Sequence, residues 1–253
     1  SIHSGVATLT LNRPEVFNSF NGEMALLLQS QLDACEADPN IRAIVITGQG
    51  KAFCAGQDLK EVTTPELHPG FKKILEEHYN PIITRIRAIE KPMIAAVNGV
   101  AAGAGANIAL ACDIVMASEK ASFIQAFSKI GLVPDSAGSF FLPRLIGFQK
   151  ASALMLLGDK VSAAQAQDLG MIYKVFPPET FHQEVHSLAL HMAQLPTKAL
   201  GLTKKLLNAS FNNTLEQQLA LESKLQIQAA NSNDYKEGVS AFVEKRKPNF
   251  KGN

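Results

Sequence analysis

The sequence predicts an α/β fold that ends in a helical region. Three observations carry this. Short apolar runs of strand length alternate with helix-like stretches through the first 120 residues or so. Small-residue turns follow two of those runs directly. Beyond Lys150 most segments have the composition of helices. Strands separated by helices call for right-handed crossovers and a sheet that is at least partly parallel.

Gly5 to Leu11 alternates Val6, Thr8 and Thr10 with Ala7, Leu9 and Leu11, which suits a strand. GEMALLLQSQLDACEA is rich in helix formers, with Asn21 or Ser19 as its candidate cap. Ala43 to Thr47 (AIVIT) reads as a buried strand, as do Met93 to Val97 (MIAAV) and Ile114 to Ala117 (IVMA). Phe71 to Ala88 reads as a helix with an interruption at Pro81, and the Pro- and Thr-rich stretch Val62 to Gly70 as a loop. In the second half Ser162, Thr180 and Thr214 mark helix starts, Gly158 and Gly170 mark stops, and IYKVF before Pro177 is a last strand. Residues 1–196 are therefore expected to form an α/β core with the substrate site, and residues 197–253 a helical region.

At 253 residues and 46% hydrophobic, the chain can bury a substantial core. A net charge of +1 with no long run of one sign speaks against a nucleic-acid binder, which needs a basic face. No apolar run reaches membrane-spanning length, and the first residues show neither a signal core nor an Arg-rich presequence, so a cytoplasmic protein without membrane partners is expected. Three well-separated cysteines suggest neither disulfides nor a zinc ribbon. His182 and His186 have i, i+4 spacing but no third ligand, so no metal is expected. The run Glu244 to Lys247 reads as a solvated helix end.

Three stretches concentrate candidate chemistry: KAFCAGQDL (Lys51 to Leu59), NGVAAGAGANIAL (Asn98 to Leu110) and KIGLVPDSAGSFFLPRLIG (Lys129 to Gly147). The first two follow strands. Gly and Ala at such turns leave backbone N–H groups open to a ligand, and the helix beyond adds its positive end. Two such N–H groups aimed at one point can stabilise an oxyanion. Tight helix-on-sheet packing asks for the same small residues, so either turn alone has a purely structural reading. In the third stretch Asp135 is a carboxylate among Val133, Phe140, Phe141 and Leu142, where lost hydration would make it a better base. It is equally a candidate helix N-cap.

AFCAGQDL followed some forty residues later by KPMIAAVNGVAAGAGANIALACDIVMAS resembles the crotonase (enoyl-CoA hydratase/isomerase) superfamily, and the likeness runs from LTLNRPEVFNSF to AFVEKRKPNF. FCAGQDL, AFSKIGLVPD and DYKEGVSAF point within it to the ring-epoxide isomerases of bacterial phenylacetate breakdown. The resemblance implies a ββα superhelical spiral with a C-terminal trimerisation region, assembly as a homotrimer or hexamer, and an acyl-CoA substrate whose coenzyme A is part of the substrate, with no separate cofactor. It places the two oxyanion-hole N–H donors on Gln57 and Ala104, and the proton-moving carboxylate on Asp135. The superfamily's two hydratase glutamates fall on Asn107 and Phe127, neither of which can act as acid or base. Substrate contacts carried over are Ala55, Asp58, Lys60, Gly103, Asn107 and Phe127, with Phe242 and Lys245 from a neighbouring subunit. Because the donors are main-chain groups, Gln57→Ala is expected to keep much of the activity.

The leading expectation is an acyl-CoA isomerase that stabilises a thioester enolate and moves a proton with one carboxylate. The alternatives are a hydratase or dehalogenase on the same fold, and a non-catalytic CoA-binding or scaffold module.

Overall fold

The computed structural model describes residues 1–253. β1 (Ile2–His3) and β2 (Val6–Leu11) form a hairpin, followed by α1 (Gly22–Ala37), which Asn21 caps by accepting the Met24 N–H at 3.0 Å. β3 (Ala43–Gly48) and β4 (Ala52–Cys54) lead into α2 (Leu59–Thr63). Val62 and Thr63 thus belong to a helix that Asp58 caps, and the expected loop begins after them.

α3 (Phe71–Lys73), a π-helical turn over Ile74–Tyr79 and α4 (Asn80–Ala88) follow one another without a break. Pro81 does not end this helical run. It lies in the first turn of α4, and the irregularity is the π turn ahead of it. A proline lacks the N–H of an i→i−4 bond and crowds the preceding turn, which the wider π geometry accommodates.

β5 (Met93–Val97), β6 (Val100–Ala102), α5 (Ala104–Ala111), β7 (Ile114–Ser118) and β8 (Ser122–Ile124) repeat the plan of strand, corner, strand. After a 3₁₀ turn over Ala126–Ile130 come α6 (Gly138–Ile146), α7 (Phe148–Leu157), β9 (Lys160–Ser162), α8 (Ala163–Asp168), β10 (Lys174–Phe176) and α9 (Pro178–Gln194). Ser162 caps α8, and Gly158 ends α7 in the left-handed region. Thr180 is not a cap: α9 starts at Pro178, where a missing N–H is no loss. α10 (Thr197–Ser210), α11 (Leu215–Ala230) and α12 (Asn233–Val243) complete the chain, with Thr214 capping α11. α12 stops before the basic run. Lys245 turns left-handed (φ 54°), and Arg246 folds back onto Glu237 and Glu244.

The strands form two sheets. One runs β1-β2-β3-β5-β7-β10, parallel apart from the first pair. The other runs β4-β6-β8-β9, parallel apart from the last pair. Each turn of the spiral sends one strand to the large sheet and the next to the small one. The corners are tight: a Cβ on Gly99 would lie 2.0 Å from the Lys51 carbonyl oxygen. The large sheet is covered on both faces, which is why MIAAV is apolar without alternation. One face packs Ile44, Ile46, Ala95 and Val97 with α1, α4 and α5. The other packs Val45, Ile94 and Met116 under Phe181, Val185 and Ala189 of α9. α10 is tied to this core by Lys204, whose ammonium lies 2.8 Å from Asp113, while Arg87 holds the other carboxylate oxygen at 3.1 Å. All three cysteines are free and buried. No group of His, Cys, Asp and Glu could hold a metal ion, and no helix is long and apolar enough to cross a membrane.

Candidate active site

β4 and β6 are parallel neighbours in the small sheet, so the turns that follow them leave the same edge side by side. They touch: a Cβ on Gly56 would stand 3.0 Å from the Ala102 carbonyl oxygen and 3.7 Å from the Ala104 nitrogen. Gly56 (φ 93°) and Gly103 (φ 51°) take backbone conformations closed to most side chains.

The direction of the Gln57 peptide follows from Phe20. The Phe20 N–H donates to the Gly56 carbonyl at 2.7 Å, and the Asp58 N–H donates to the Phe20 carbonyl at 2.8 Å. In such a parallel bridge the residue between the two bonded peptides turns its own N–H the other way. The Gln57 N–H accordingly makes no backbone hydrogen bond. Ala104 opens α5, where an N–H has no partner within the helix. Both residues line one cavity of about 810 Å³.

Asp135 lines the same cavity, from the loop between the 3₁₀ turn and α6. The two residues after it, Ser136 (φ 49°) and Ala137 (φ 57°), are left-handed without being glycine. Such a turn costs about 1–2 kcal/mol per residue and must be held from outside. Asn107 holds it: its Nδ2 donates to the Asp135 carbonyl at 2.8 Å, and its Oδ1 accepts from Gln125 at 2.7 Å. Asp135 is not the N-cap of α6. That position falls to Ala137, and no side chain caps the helix. The Asp135 carboxylate instead accepts the Ser136 hydroxyl at 2.9 Å. Burial raises its pKa to about 6, against a smaller opposing effect of that hydrogen bond. Apolar groups that share the cavity with it include Phe127, Ile130, Leu132 and Val133. Phe141 and Leu142 face the core instead.

Of the residues singled out from the sequence, the cavity gathers Ala55, Gln57, Gly103, Ala104, Phe127 and Asp135. It does not gather the others. Asn107 is fully buried behind the wall, with both ends of its amide engaged. The Asp58 carboxylate is taken by Arg13 at 2.8 Å and by capping α2. Lys60 is exposed on α2, and Phe242 and Lys245 lie exposed at the end of the chain, outside the cavity lining. Phe127 packs its ring edge 3.7 Å from where a Cβ of Gly103 would be.

The sequence reading missed Tyr79, Glu61 and the side chain of Gln57. Tyr79 lines the cavity, and its hydroxyl donates to Gln57 Oε1 at 2.7 Å; Gln57 Nε2 donates to Glu61 at 2.6 Å. Tyrosine on an otherwise apolar helical face was the one available signal. Burial pushes the Tyr79 phenol well above its ordinary value, with smaller contributions from Cys54, Asp135, Glu61 and Asp58. Burial likewise pushes the Cys54 thiol up to about 12, so it is no nucleophile. Asp135 is the only carboxylate in the cavity wall.

A strand-built spiral with two abutting main-chain turns and one half-buried carboxylate on the same cavity agrees with the family match. The model of the enoyl-CoA hydratase/isomerase family matches residues 1–253, and the chain belongs to that family, the crotonases. It is 49% identical to the 1,2-epoxyphenylacetyl-CoA isomerase of Escherichia coli (strain K12), over 99% of this chain and 97% of that one. It is 43% identical to a probable enoyl-CoA hydratase of Rhodobacter capsulatus, over 99% and 96%. Among solved structures, one described as a putative enoyl-CoA hydratase/isomerase from Mycobacterium abscessus superposes with a TM-score of 0.91 at 37% identity, over 98% and 96%.

Proposed function

We propose that this enzyme isomerises an acyl-CoA thioester, holding its enolate with the Gln57 and Ala104 N–H groups and moving the proton with Asp135. One observation carries the reading: a single carboxylate faces the cavity. A thioester α-proton is weakly acidic, and its removal puts charge on the carbonyl oxygen. Preorganised N–H donors at that oxygen are worth about 2.7–4 kcal/mol each. Asp135 can take the proton next to the carbonyl and return it two carbons away, and its raised pKa suits both transfers. Hydration needs further groups to position and ionise water. The two places where the family's hydratases carry glutamates hold Asn107, engaged within the protein, and Phe127.

The likeness to an epoxyphenylacetyl-CoA isomerase and the wall of Phe71, Ile74, Leu75, Ile130 and Leu132 favour a bulky apolar acyl group such as an epoxidised aromatic ring. For that substrate the same carboxylate serves the proton movements of ring opening and expansion, with double-bond migration in 3-enoyl-CoAs as a second activity. The test is a side-by-side assay on 1,2-epoxyphenylacetyl-CoA, a 3-enoyl-CoA and a 2-enoyl-CoA. Isomerisation of the first two with little hydration of the third is expected. Predominant hydration would overturn the proposal.

A further inference from the structure

We propose that Tyr79 and Glu61 are positioning residues that act through the Gln57 side chain to aim the Gln57 N–H, an assignment that rests on reading that N–H as a carbonyl donor. The Gln57 amide is bonded at both ends, to Glu61 Oε2 at 2.6 Å and to the Tyr79 hydroxyl at 2.7 Å. The other Glu61 oxygen accepts the Gly22 N–H at 2.8 Å. An ionised carboxylate only accepts, so the amide must turn its NH₂ to Glu61 and its oxygen to Tyr79. The reversed amide would set oxygen against oxygen. Each link in the row Gly22, Glu61, Gln57, Tyr79 therefore has one direction of donation.

The anchors are themselves fixed. Tyr79 is 1% exposed, and its ring stands edge-on to Phe20 at 5.8 Å. Phe20 is the residue whose backbone grips both peptides beside Gln57. The turn is thus held by main chain on one side and by side chains on the other. It needs both, because Gly56 offers little conformational resistance of its own. A small rotation of the Gln57 peptide would swing its N–H off the carbonyl oxygen, and misplacements of that order cost catalysis heavily. Glu61 on α2 and Tyr79 on the π turn also flank the loop 64–70, so the row ties that side of the cavity to the donor.

The experiment compares wild type with Tyr79→Phe, Gln57→Met and Glu61→Gln. Methionine keeps the length of glutamine without its polar atoms, and phenylalanine keeps the contact with Phe20. The probe is cinnamoyl-CoA, whose absorption moves to the red when its thioester carbonyl accepts hydrogen bonds. The wild type should show that shift. Tyr79→Phe and Gln57→Met should bind the probe with a Kd within about threefold, lose part of the shift, and lose about tenfold in kcat with KM nearly unchanged. Glu61→Gln should lie between, since its one carbonyl oxygen can replace only one of the two acceptors. Variants with the full red shift and wild-type kcat would overturn the positioning role and leave the oxyanion site standing. A raised KM with unchanged kcat would overturn it in favour of direct substrate contact. A wild type with no red shift would overturn the oxyanion reading itself.

Discussion

Asp135, the carboxylate proposed to move the proton, sits where its charged form costs stability. Its carboxyl is raised from 3.8 to about 6 because burial disfavours the charged form. Between those values the folded chain binds more protons than the unfolded chain. Stability contributed at this position is therefore full at acid pH, falls as pH rises through about 4 to 6, and stays lower above. Asp135→Asn removes the charge. Its melting temperature should exceed that of wild type at pH 8, by the equivalent of about 1–3 kcal/mol, and match it near pH 3.5. The same substitution should lower isomerase kcat by about a hundredfold or more. Wild-type kcat/KM should rise through about pH 6 as the base ionises. Thermal melts at the two pH values and a pH–rate profile test both halves. A mutant that isomerises like wild type would refute the role of Asp135.

At the level of elements, the Asp135 loop is held by what packs behind it. Gly138 opens α6 against Asn107, and a Cβ there would stand 2.3 Å from Asn107 Nδ2 and 2.6 Å from its Cγ. Asn107 is fully buried and bonded at both ends, so it has nowhere to retreat. Gly138→Ala should destabilise the chain by about 1–3 kcal/mol through overpacking and lower kcat by shifting the Asp135 loop. Urea melts together with steady-state rates test this, and an unchanged rate would show that the Asp135 loop does not depend on this contact. The attachment of α10 offers a contrast remote from the cavity. Lys204→Met removes one of the two cations on Asp113, which keeps Arg87 and the Met93 N–H at 2.9 Å. A loss of about 1–3 kcal/mol is expected, below that of stranding a buried charge outright, with kcat within about twofold of wild type.

Across the whole molecule, the helical end leaves several large apolar residues uncovered. Phe242 is 86% exposed, and Leu215, Leu219, Ile227, Tyr235 and Val243 also face outward from α11 and α12. Contiguous apolar surface on a protein suits an interaction face. We expect the chain to assemble through it as a trimer or hexamer, which sedimentation at micromolar concentration tests. A monomer throughout would refute this.

Local pattern was enough to read five of the six strands of the large sheet, the main helices, Ser162 and Thr214 as helix starts, Asn21 as one of two candidate caps of α1, the two small-residue turns, and Asp135 as a candidate base; the three-residue strands of the small sheet were too short to show a pattern. Each feature read depends on residues within a few positions of one another, and backbone periodicity and capping act over that range. Some misses were local, such as the start of the loop after α2 and the start of α9; the others depend on distance across the fold. Phe20 turning the Gln57 N–H outward joins positions 37 apart, and Asn107 gripping the Asp135 loop joins positions 28 apart. The π turn before Pro81 and the Tyr79–Gln57–Glu61 row depend on how α1, α2 and α4 pack together. Asp135 was doubly ambiguous in the sequence, since a carboxylate before a helix suits a cap as well as a base. The sequence by itself determined which groups could do the chemistry. Only the tertiary structure decided which N–H groups stay unpaired and which carboxyl loses its water, because hydrogen bonding and hydration are settled by neighbours in space.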